Sequence, residues 1–190
     1  MPKATKTKLL ESKSPLKTLS TFLFYLFISV SISVVSAKNN KINSLDLLFD
    51  SLKNVTSEQD ARKIENEIWK TWLRSGDEKI DELMKEALRK RRSYNLNGAL
   101  NILNQVIKVK PDYPEAWNQR ATVFFHQGKY KKSLKDIAKT LELEPRHFGS
   151  LAGRAMIRLK QLKPVLARQN IKEALKYHPY LKEKALFPSL

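Results

Sequence analysis

Apolar residues recur three and four positions apart through the second half of the chain, in consecutive short stretches. This spacing brings them to one face of an α-helix. A polar break around Arg91, Arg92 and Ser93 separates the first two stretches, and the pattern predicts two amphipathic helices joined by a turn. Their apolar positions are Ile80, Leu83, Met84, Ala87 and Leu88, then Leu96, Ala99, Leu100, Leu103, Val106 and Ile107.

The pair of stretches returns with a period of 34 residues. A fixed period of this length indicates stacked helical units, each ended by a proline that cannot continue a helix. Small residues at two positions of each unit let the paired helices approach closely. The columns that keep the period are Pro111, Pro145 and Pro179; Ala87, Ala121 and Ala155; Ala99, Ser133 and Ala167; and Leu103, Ile137 and Ile171.

These columns resemble the tetratricopeptide repeat (TPR), whose consensus has the same period, small residues and closing proline. The unit 114–147 matches it with Trp117, Ala121, Phe124, Ser133, Ile137, Thr140 and Pro145. The units 80–113 and 148–181 match less fully, with Lys90 and Arg158 where an aromatic residue is usual. The resemblance implies an all-α fold, a right-handed α-solenoid of about three TPR helix hairpins.

Residues 38–79 do not continue the repeat and are predicted to form an N-terminal helical cap. Leu45, Leu47, Leu48, Phe49 and Leu52 indicate a short helix, and the sequence from Thr56 to Gln59 resembles a capping box. A second helix is expected to end near Gly76, and Asp77 to cap the first repeat helix. Residues 182–190 form a C-terminal tail, and its apolar residues, with the one before it, are expected to cover part of the last unit: Leu181, Ala185, Leu186 and Phe187.

The first 37 residues have the layout of an export signal. Five lysines precede twenty uncharged residues, 18–37, which close with Val35, Ser36 and Ala37. The uncharged stretch is also close to the length that crosses a bilayer. Two alternatives therefore stay open: a signal peptide cleaved after Ala37, or an N-terminal membrane anchor. Both predict that residues 38–190 lie outside the cytoplasm. The stretches 111–122 and 143–153 resemble those of exported bacterial tetratricopeptide proteins. This resemblance implies the periplasm, with the domain either free or held at the inner membrane.

The formal net charge of +17 arises mostly from residues 85–190. A lysine row on the second helix of the middle unit, the basic belt, consists of Lys131, Lys132, Lys135 and Lys139. It is interpreted either as a solvated face or as a surface for anionic lipid or an acidic partner. Nucleic acid fits the charge but not the export signal. The absence of cysteine and of catalytic motifs predicts no enzyme activity, no metal site and no cofactor.

The resemblance also implies a function, because tetratricopeptide arrays hold a peptide or protein segment in a concave groove. This predicts a non-catalytic scaffold or adaptor of the cell envelope whose ligand has apolar and acidic character. The alternative function is a basic membrane-surface or structural protein. For Phe125 and Leu159 a second role is equally expected, namely packing between neighbouring units instead of contact with a ligand. The predicted groove residues are Met84, Leu88, Arg91, Arg92, Asn118, Thr122, Phe125, His126, Met156, Leu159 and Lys160.

Overall fold

Helices account for all the regular structure in residues 44–188, the part of the chain that the computed structural model describes. The all-α prediction is confirmed. The predicted export segment, residues 1–37, lies outside the described residues, and the predicted cap is described from residue 44. Residues 44–54 form α1, and the helices that follow are α2 (Glu58–Trp72), α3 (Glu78–Arg92), α4 (Leu96–Val109), α5 (Pro114–His126), α6 (Tyr130–Leu143), α7 (Phe148–Lys160) and α8 (Pro164–Leu175), before a 3₁₀ turn at Lys182–Leu186.

Local capping chemistry sets where these helices begin. The carboxylate of Asp77 accepts hydrogen bonds from the amides of Lys79 and Ile80, at 2.9 and 3.2 Å, as predicted for the start of α3. Pro114 and Pro164 stand in the first turns of α5 and α8, where a missing amide proton leaves no gap in the helix.

Three details of the predicted boundaries are wrong. Ser57, not Thr56, caps α2, and its hydroxyl accepts a hydrogen bond from the amide of Asp60 at 3.1 Å. The helix α2 ends at Trp72, and Gly76 follows with a left-handed φ of +85° in the turn beyond it. The polar break also comes later, since α3 continues through Arg92 before the chain turns.

The helices form three hairpins, α3–α4, α5–α6 and α7–α8, which occupy the predicted units and pack in sequence order as an α-solenoid. Their small residues lie at the helix contacts, and each is no more than 2% exposed: Ala87, Ala99, Ala121, Ser133, Ala155 and Ala167. At one contact the Ser133 hydroxyl donates to the carbonyl of Ala121 at 2.7 Å. A larger side chain at these positions would hold the paired backbones apart.

A buried polar network joins the second hairpin to the third. The carboxylate of Glu115 is fully buried and accepts hydrogen bonds from the side-chain amides of Asn118 and Gln119. It also accepts one from Nε2 of His147, at 2.9 Å. The Ser150 hydroxyl donates to Oδ1 of Asn118 at 2.8 Å. The carboxylate of Glu115 and both ring nitrogens of His147 have partners, which lowers the desolvation cost of the junction.

His147 has a second role as the N-cap of α7. Its Nδ1 accepts a hydrogen bond from the amide of Ser150 at 3.1 Å, so the ring proton is on Nε2 and is donated to Glu115. The ring also stacks on the indole of Trp72, with the centroids 4.0 Å apart and the planes 7° from parallel. One imidazole therefore connects α2, α5 and α7.

The N-terminal pair α1–α2 packs against the third hairpin, with Phe49, Leu52 and Ile68 in one cluster with Leu151 and Ile171. The cap was expected at the first hairpin, its neighbour in sequence. The physical reason for the difference is that α7 and α8 present a large apolar face, which α1 and α2 cover. Of the C-terminal residues, Leu181 and Phe187 join this cluster, whereas Ala185 and Leu186 are exposed.

Polar contacts hold the same pair in place. Arg146, just before α7, pairs with Asp46 of α1 and lies 4.5 Å from the ring centre of Phe49. On α2, Oε2 of Glu65 lies 3.3 Å from Nε2 of the buried His178. The docking of α1–α2 therefore combines apolar burial with polar contacts at two places.

We expect His147→Ala to lower the free energy of unfolding by about 3–5 kcal/mol, because it removes one partner of a buried polar pair together with a helix cap. Urea unfolding followed by circular dichroism measures the change. His126→Ala is the matched control, since His126 is exposed, and it should stay within about 0.5 kcal/mol of wild type. A loss of less than about 1 kcal/mol for His147→Ala would contradict the assigned role.

We also expect acid to weaken the packing of α1–α2. The contact with His178 lowers the pKa of Glu65, with smaller contributions from the Trp69 indole and the charge of Lys182, against the opposing effect of burial. A carboxyl with a lowered folded-state pKa stabilises the fold above its unfolded pKa, about 4.3, and this contribution is lost as the pH falls through the folded value.

The measurement is the unfolding midpoint in urea at a series of pH values between about 7 and 3, followed by tryptophan fluorescence. Glu65→Gln should show a shallower loss of stability than wild type over the acidic part of this range. Glu67→Gln, on the exposed face of the same helix, should follow the wild-type curve. Identical curves for Glu65→Gln and wild type would refute the contribution of this carboxyl.

Candidate peptide-binding groove

The predicted groove residues lie on the first helix of each hairpin, α3, α5 and α7, but their exposure differs widely. Met84 is 1% exposed and packs in the core of the first hairpin, so it offers no surface to a ligand. Asn118 is 7% exposed and belongs to the buried polar network. The half-buried residues are Leu88, Arg91, Thr122, Phe125, Met156 and Leu159, and the exposed ones are Arg92, His126 and Lys160.

Some of these residues meet around one cleft of about 120 Å³ between α5, α6 and α7. Its walls include four predicted groove residues, Asn118, Thr122, Phe125 and Met156, and its floor includes Ile137. Two glycines of α7, Gly149 and Gly153, also line it and are not among the predicted groove residues given above. The sequence feature that indicates them is the pair of glycines four residues apart, about one helical turn, within a predicted helix.

The two glycines of α7 have different roles, and only Gly153 leaves space for this cleft. A β-carbon at Gly153 would lie 3.7 Å from Cδ1 of Ile137, an ordinary contact, so a longer side chain there would extend into the cleft. At Gly149 a β-carbon would lie only 2.6 Å from Cη2 of Trp69, so this glycine is required by the packing of α2. The cleft therefore adjoins the site where the N-terminal pair docks.

The cleft is chemically apolar although three hydroxyl groups line it. The hydroxyls of Thr122 and Ser133 donate to backbone carbonyls of their own hairpin, at 3.0 and 2.7 Å, and that of Ser150 donates to Asn118. Because these protons are already used, a polar ligand group would find few donors here. The cleft suits one apolar side chain better than a charged or amide group.

Two predicted residues take part in packing, the alternative left open by the sequence. Leu159 packs against the cluster formed by the N-terminal pair and the third hairpin, and it does not line the cleft. Phe125 packs against Tyr130, with the ring centres 5.8 Å apart, and also forms a wall of the cleft. Leu88 lines a separate cleft between the end of α2 and α3, so the structure does not bring it together with Phe125.

Positive charge surrounds the cleft-bearing helices. Arg91 is half-buried, and burial lowers its pKa while the charge of Glu115 raises it. Arg92 and Lys160 are exposed at the ends of α3 and α7. In the basic belt, Lys131, Lys132 and Lys135 are exposed, whereas Lys139 pairs with Glu142 at 2.6 Å. The belt lies on α6, the second helix of its hairpin.

The helices of residues 44–188 include none with the length and hydropathy that crossing a bilayer requires. Within the same residues, no three His, Asp or Glu side chains gather closely enough to hold a metal ion. The features of the site that a ligand can contact are therefore the apolar cleft and the basic side chains near it.

Comparison with known proteins identifies the repeat. Residues 114–147 match the family model described as Tetratricopeptide repeat. A TPR repeat-containing protein of Rhizobium etli is 42% identical over 122 residues, which cover 64% of this chain and 60% of that protein. The DnaJ homolog subfamily C member 3 of Bos taurus is 34% identical over 84 residues, 44% of this chain and 17% of its own length. The chain thus spans less than two thirds of the curated relatives it matches.

Among solved structures, two crystal structures of MamA superpose with TM-scores of 0.49 and 0.48, at 16% and 17% sequence identity. The alignments cover 90% and 92% of this chain, and 96% and 91% of the MamA chains. The family match at the middle hairpin, the Rhizobium relative and three helix hairpins at a period of 34 residues agree with one another. Residues 114–147 are thus a tetratricopeptide repeat, and the chain is similar to TPR repeat-containing proteins.

Proposed function

We propose that this protein is a non-catalytic adaptor that binds a peptide or protein segment along α5 and α7, with one apolar side chain of the ligand in the cleft between the second and third hairpins. The observation that carries the proposal is the cleft itself, which is apolar, open, and lined by Phe125 and Met156. Tetratricopeptide repeats bind protein partners generally, and a buried apolar anchor in a pocket is the usual source of affinity in such interfaces.

The ligand is proposed to carry acidic residues beside that apolar anchor. Arg91, Arg92 and Lys160 lie at the ends of the helices that form the groove face, and Arg92 and Lys160 make no ion pair with any residue of 44–188. The chain as a whole has a formal net charge of +17. Such a field attracts acidic segments and speeds their association.

The proposed place of action is the periplasmic side of the bacterial cell envelope. The support is the layout of residues 1–37, with lysines, an uncharged stretch and a small residue at Ala37. Cleavage after Ala37 would release the repeat domain, and retention of residues 18–37 would anchor it in the inner membrane.

The groove prediction is tested with fluorescent peptides that carry a single leucine between runs of glutamate. Wild type should bind them saturably, and Met156→Ala should weaken binding about tenfold, because it removes a wall of the apolar cleft. Gly153→Met should weaken binding at least as much, since its side chain occupies the cleft. Gly in a helix interior is unfavourable, so this variant should retain or gain stability.

Two controls complete this experiment. Lys139→Ala changes charge on α6 away from the cleft and should bind as wild type does, apart from a small salt-dependent term. Peptides with serine in place of leucine should bind weakly, because the cleft hydroxyls have no free proton to donate. Equal binding of the leucine peptide by wild type and Gly153→Met would refute the cleft as the binding site.

The location is tested by expressing the full chain with a C-terminal tag in a Gram-negative host and determining the mature N-terminus by mass spectrometry. We expect either a chain that begins at Lys38 in the periplasmic fraction or an intact chain in the inner-membrane fraction. Introducing Arg at Leu26 and Ile28, in the middle of the uncharged stretch, should leave the chain in the cytosol. An intact wild-type chain free in the cytosol would refute the proposed export.

A further inference from the structure

The turns inside the three hairpins share one backbone conformation but not one residue type. Tyr94, Gly128 and Leu162 stand 34 residues apart, with left-handed φ values of 62°, 69° and 58°. The amide of the next residue in each turn donates to an equivalent carbonyl, of Lys90, Phe124 and Arg158, at 2.9 Å in every case. The same turn is therefore built three times, once with glycine and twice with a large side chain.

Tyr94 and Leu162 work against the stability of these turns. Left-handed backbone is strained for residues with a β-carbon, which is why glycine is the usual choice and why Gly128 fits without cost. Burial does not compensate, because Tyr94 is 69% exposed and Leu162 is 89% exposed. The packing of the fold does not explain Leu162, and both side chains are largely exposed to solvent at the tips of hairpins.

These tips belong to one edge of the stack of hairpins. Nε2 of Gln127, in the second turn, donates to Oδ1 of Asn97, beside the first turn, at 3.0 Å. The rings of Tyr94 and His126 are also in contact, with their centres 6.0 Å apart. At the third turn, Val165 and Leu166 begin α8 beside Leu162 and are 69% and 40% exposed. We call residues 89–100, 123–134 and 157–168 the tip edge.

The tip edge concentrates positive charge. It contains no Asp or Glu, whereas the opposite connections, residues 105–116, 139–150 and 173–184, hold seven basic and six acidic residues. Arg89 and Lys90 share Glu86, but several exposed members make no ion pair with any residue of 44–188, namely Arg92, Lys129, Lys131, Lys160 and Lys163. The eleven basic residues of the tip edge are Arg89, Lys90, Arg91, Arg92, Lys129, Lys131, Lys132, Arg158, Lys160, Lys163 and Arg168.

We propose that the tip edge docks on the surface of an anionic lipid bilayer. In this arrangement Leu162, Val165 and Leu166 enter the boundary between headgroups and acyl chains, and the ring of Tyr94 lies at headgroup level. The surrounding lysines and arginines contact lipid phosphates. Apolar side chains flanked by basic residues are the usual composition of protein surfaces that bind membranes in this way.

The geometry favours lipid over the other anionic partners. The apolar residues protrude from turns, so they fit a soft apolar layer better than a rigid partner surface, which would need a matching pocket. Nucleic acid would use the charges but would gain nothing from the exposed aliphatic side chains of Leu162 and Val165. The proposal goes beyond the groove function, since the side chains proposed to enter the bilayer, those of Leu162, Val165 and Leu166, do not line the cleft. The two sites share some basic residues but are tested with different variants.

The test measures partition of the full chain onto phosphatidylcholine vesicles with and without phosphatidylglycerol, at low and high salt. Hydrogen exchange of the bound protein then locates the contact. We expect binding that depends on phosphatidylglycerol and falls at high salt. We also expect protection of amides 93–97 and 161–166, which attachment through residues 18–37 would not produce.

Two matched pairs of variants separate the tip edge from general effects. Leu162→Gly should lower partition about fivefold or more while raising the unfolding midpoint, because it removes the inserted side chain and relieves the strained backbone. Val109→Ala, which trims a 69% exposed apolar residue between hairpins, should change neither. Lys129→Glu with Lys163→Glu should lower partition more than tenfold, and Lys108→Glu with Lys110→Glu, an equal change of net charge, only slightly.

Equal losses for the two charge pairs would overturn the proposal, because they would show that only the net charge matters. Unchanged partition in Leu162→Gly, or equal binding to both kinds of vesicle, would overturn it as well. Tighter binding of an RNA or DNA duplex than of anionic vesicles, with loss in the same variants, would assign the tip edge to nucleic acid instead.

Discussion

The structure depends on the hydrogen bonds and stacking of one imidazole, that of His147. This ring caps α7, donates to the buried carboxylate of Glu115 on α5 and stacks on Trp72 of α2. A carboxylate removed from water requires such donors, so the contact fixes the distance and rotation between the second and third hairpins. The stacking of His147 on Trp72 also fixes the position of the C-terminal end of α2 relative to these two hairpins. The cleft is formed by the same two hairpins, and its shape therefore depends on this junction.

The N-terminal pair makes the fold more than a linear row of repeats. In a simple solenoid each hairpin contacts only its neighbours, and stability accumulates along the chain. Here Phe49 and Trp72 pack against Phe148 of the third hairpin, many residues later in the sequence. Such long-range contacts couple the two ends of residues 44–188, so that loosening of α1–α2 exposes the apolar face of α7 and α8. Cooperative unfolding of this part is the expected consequence.

Periodic features of the fold were predictable from the sequence, and contacts across long sequence separations were not. The 34-residue columns, the cap at Asp77 and the turn glycine Gly128 each have a local cause that the sequence displays. The docking of α1–α2 on the third hairpin leaves no periodic trace, since its contacts join residues that no repeat relates. The N-cap residue of α2 was also not predictable from the local sequence, because Thr56 and Ser57 are adjacent and either type of side chain can cap a helix.

The groove was predicted in outline and corrected in detail. Four predicted residues meet at the cleft, because the repeat fixes which positions of α5 and α7 face each other. Met84 has an equivalent place in its repeat, but its long side chain packs inward with the core of the first hairpin. The cleft itself depends on the side chain missing at Gly153, and the periodicity of apolar residues carries no information about a missing side chain.

The contact of Trp69 with Gly149 has a consequence for assembly. The terminal hairpin of a stack of repeats has an apolar face that no neighbour covers. If this face is exposed, the first hairpin of another copy can pack on it, and repeated association of this kind produces a filament. The indole of Trp69 lies where even a β-carbon on α7 would collide, at 2.6 Å. With that end occupied by its own α1–α2, the chain terminates its own row. Contacts within one chain thus set the number of stacked hairpins at this end, and that number does not depend on the protein concentration.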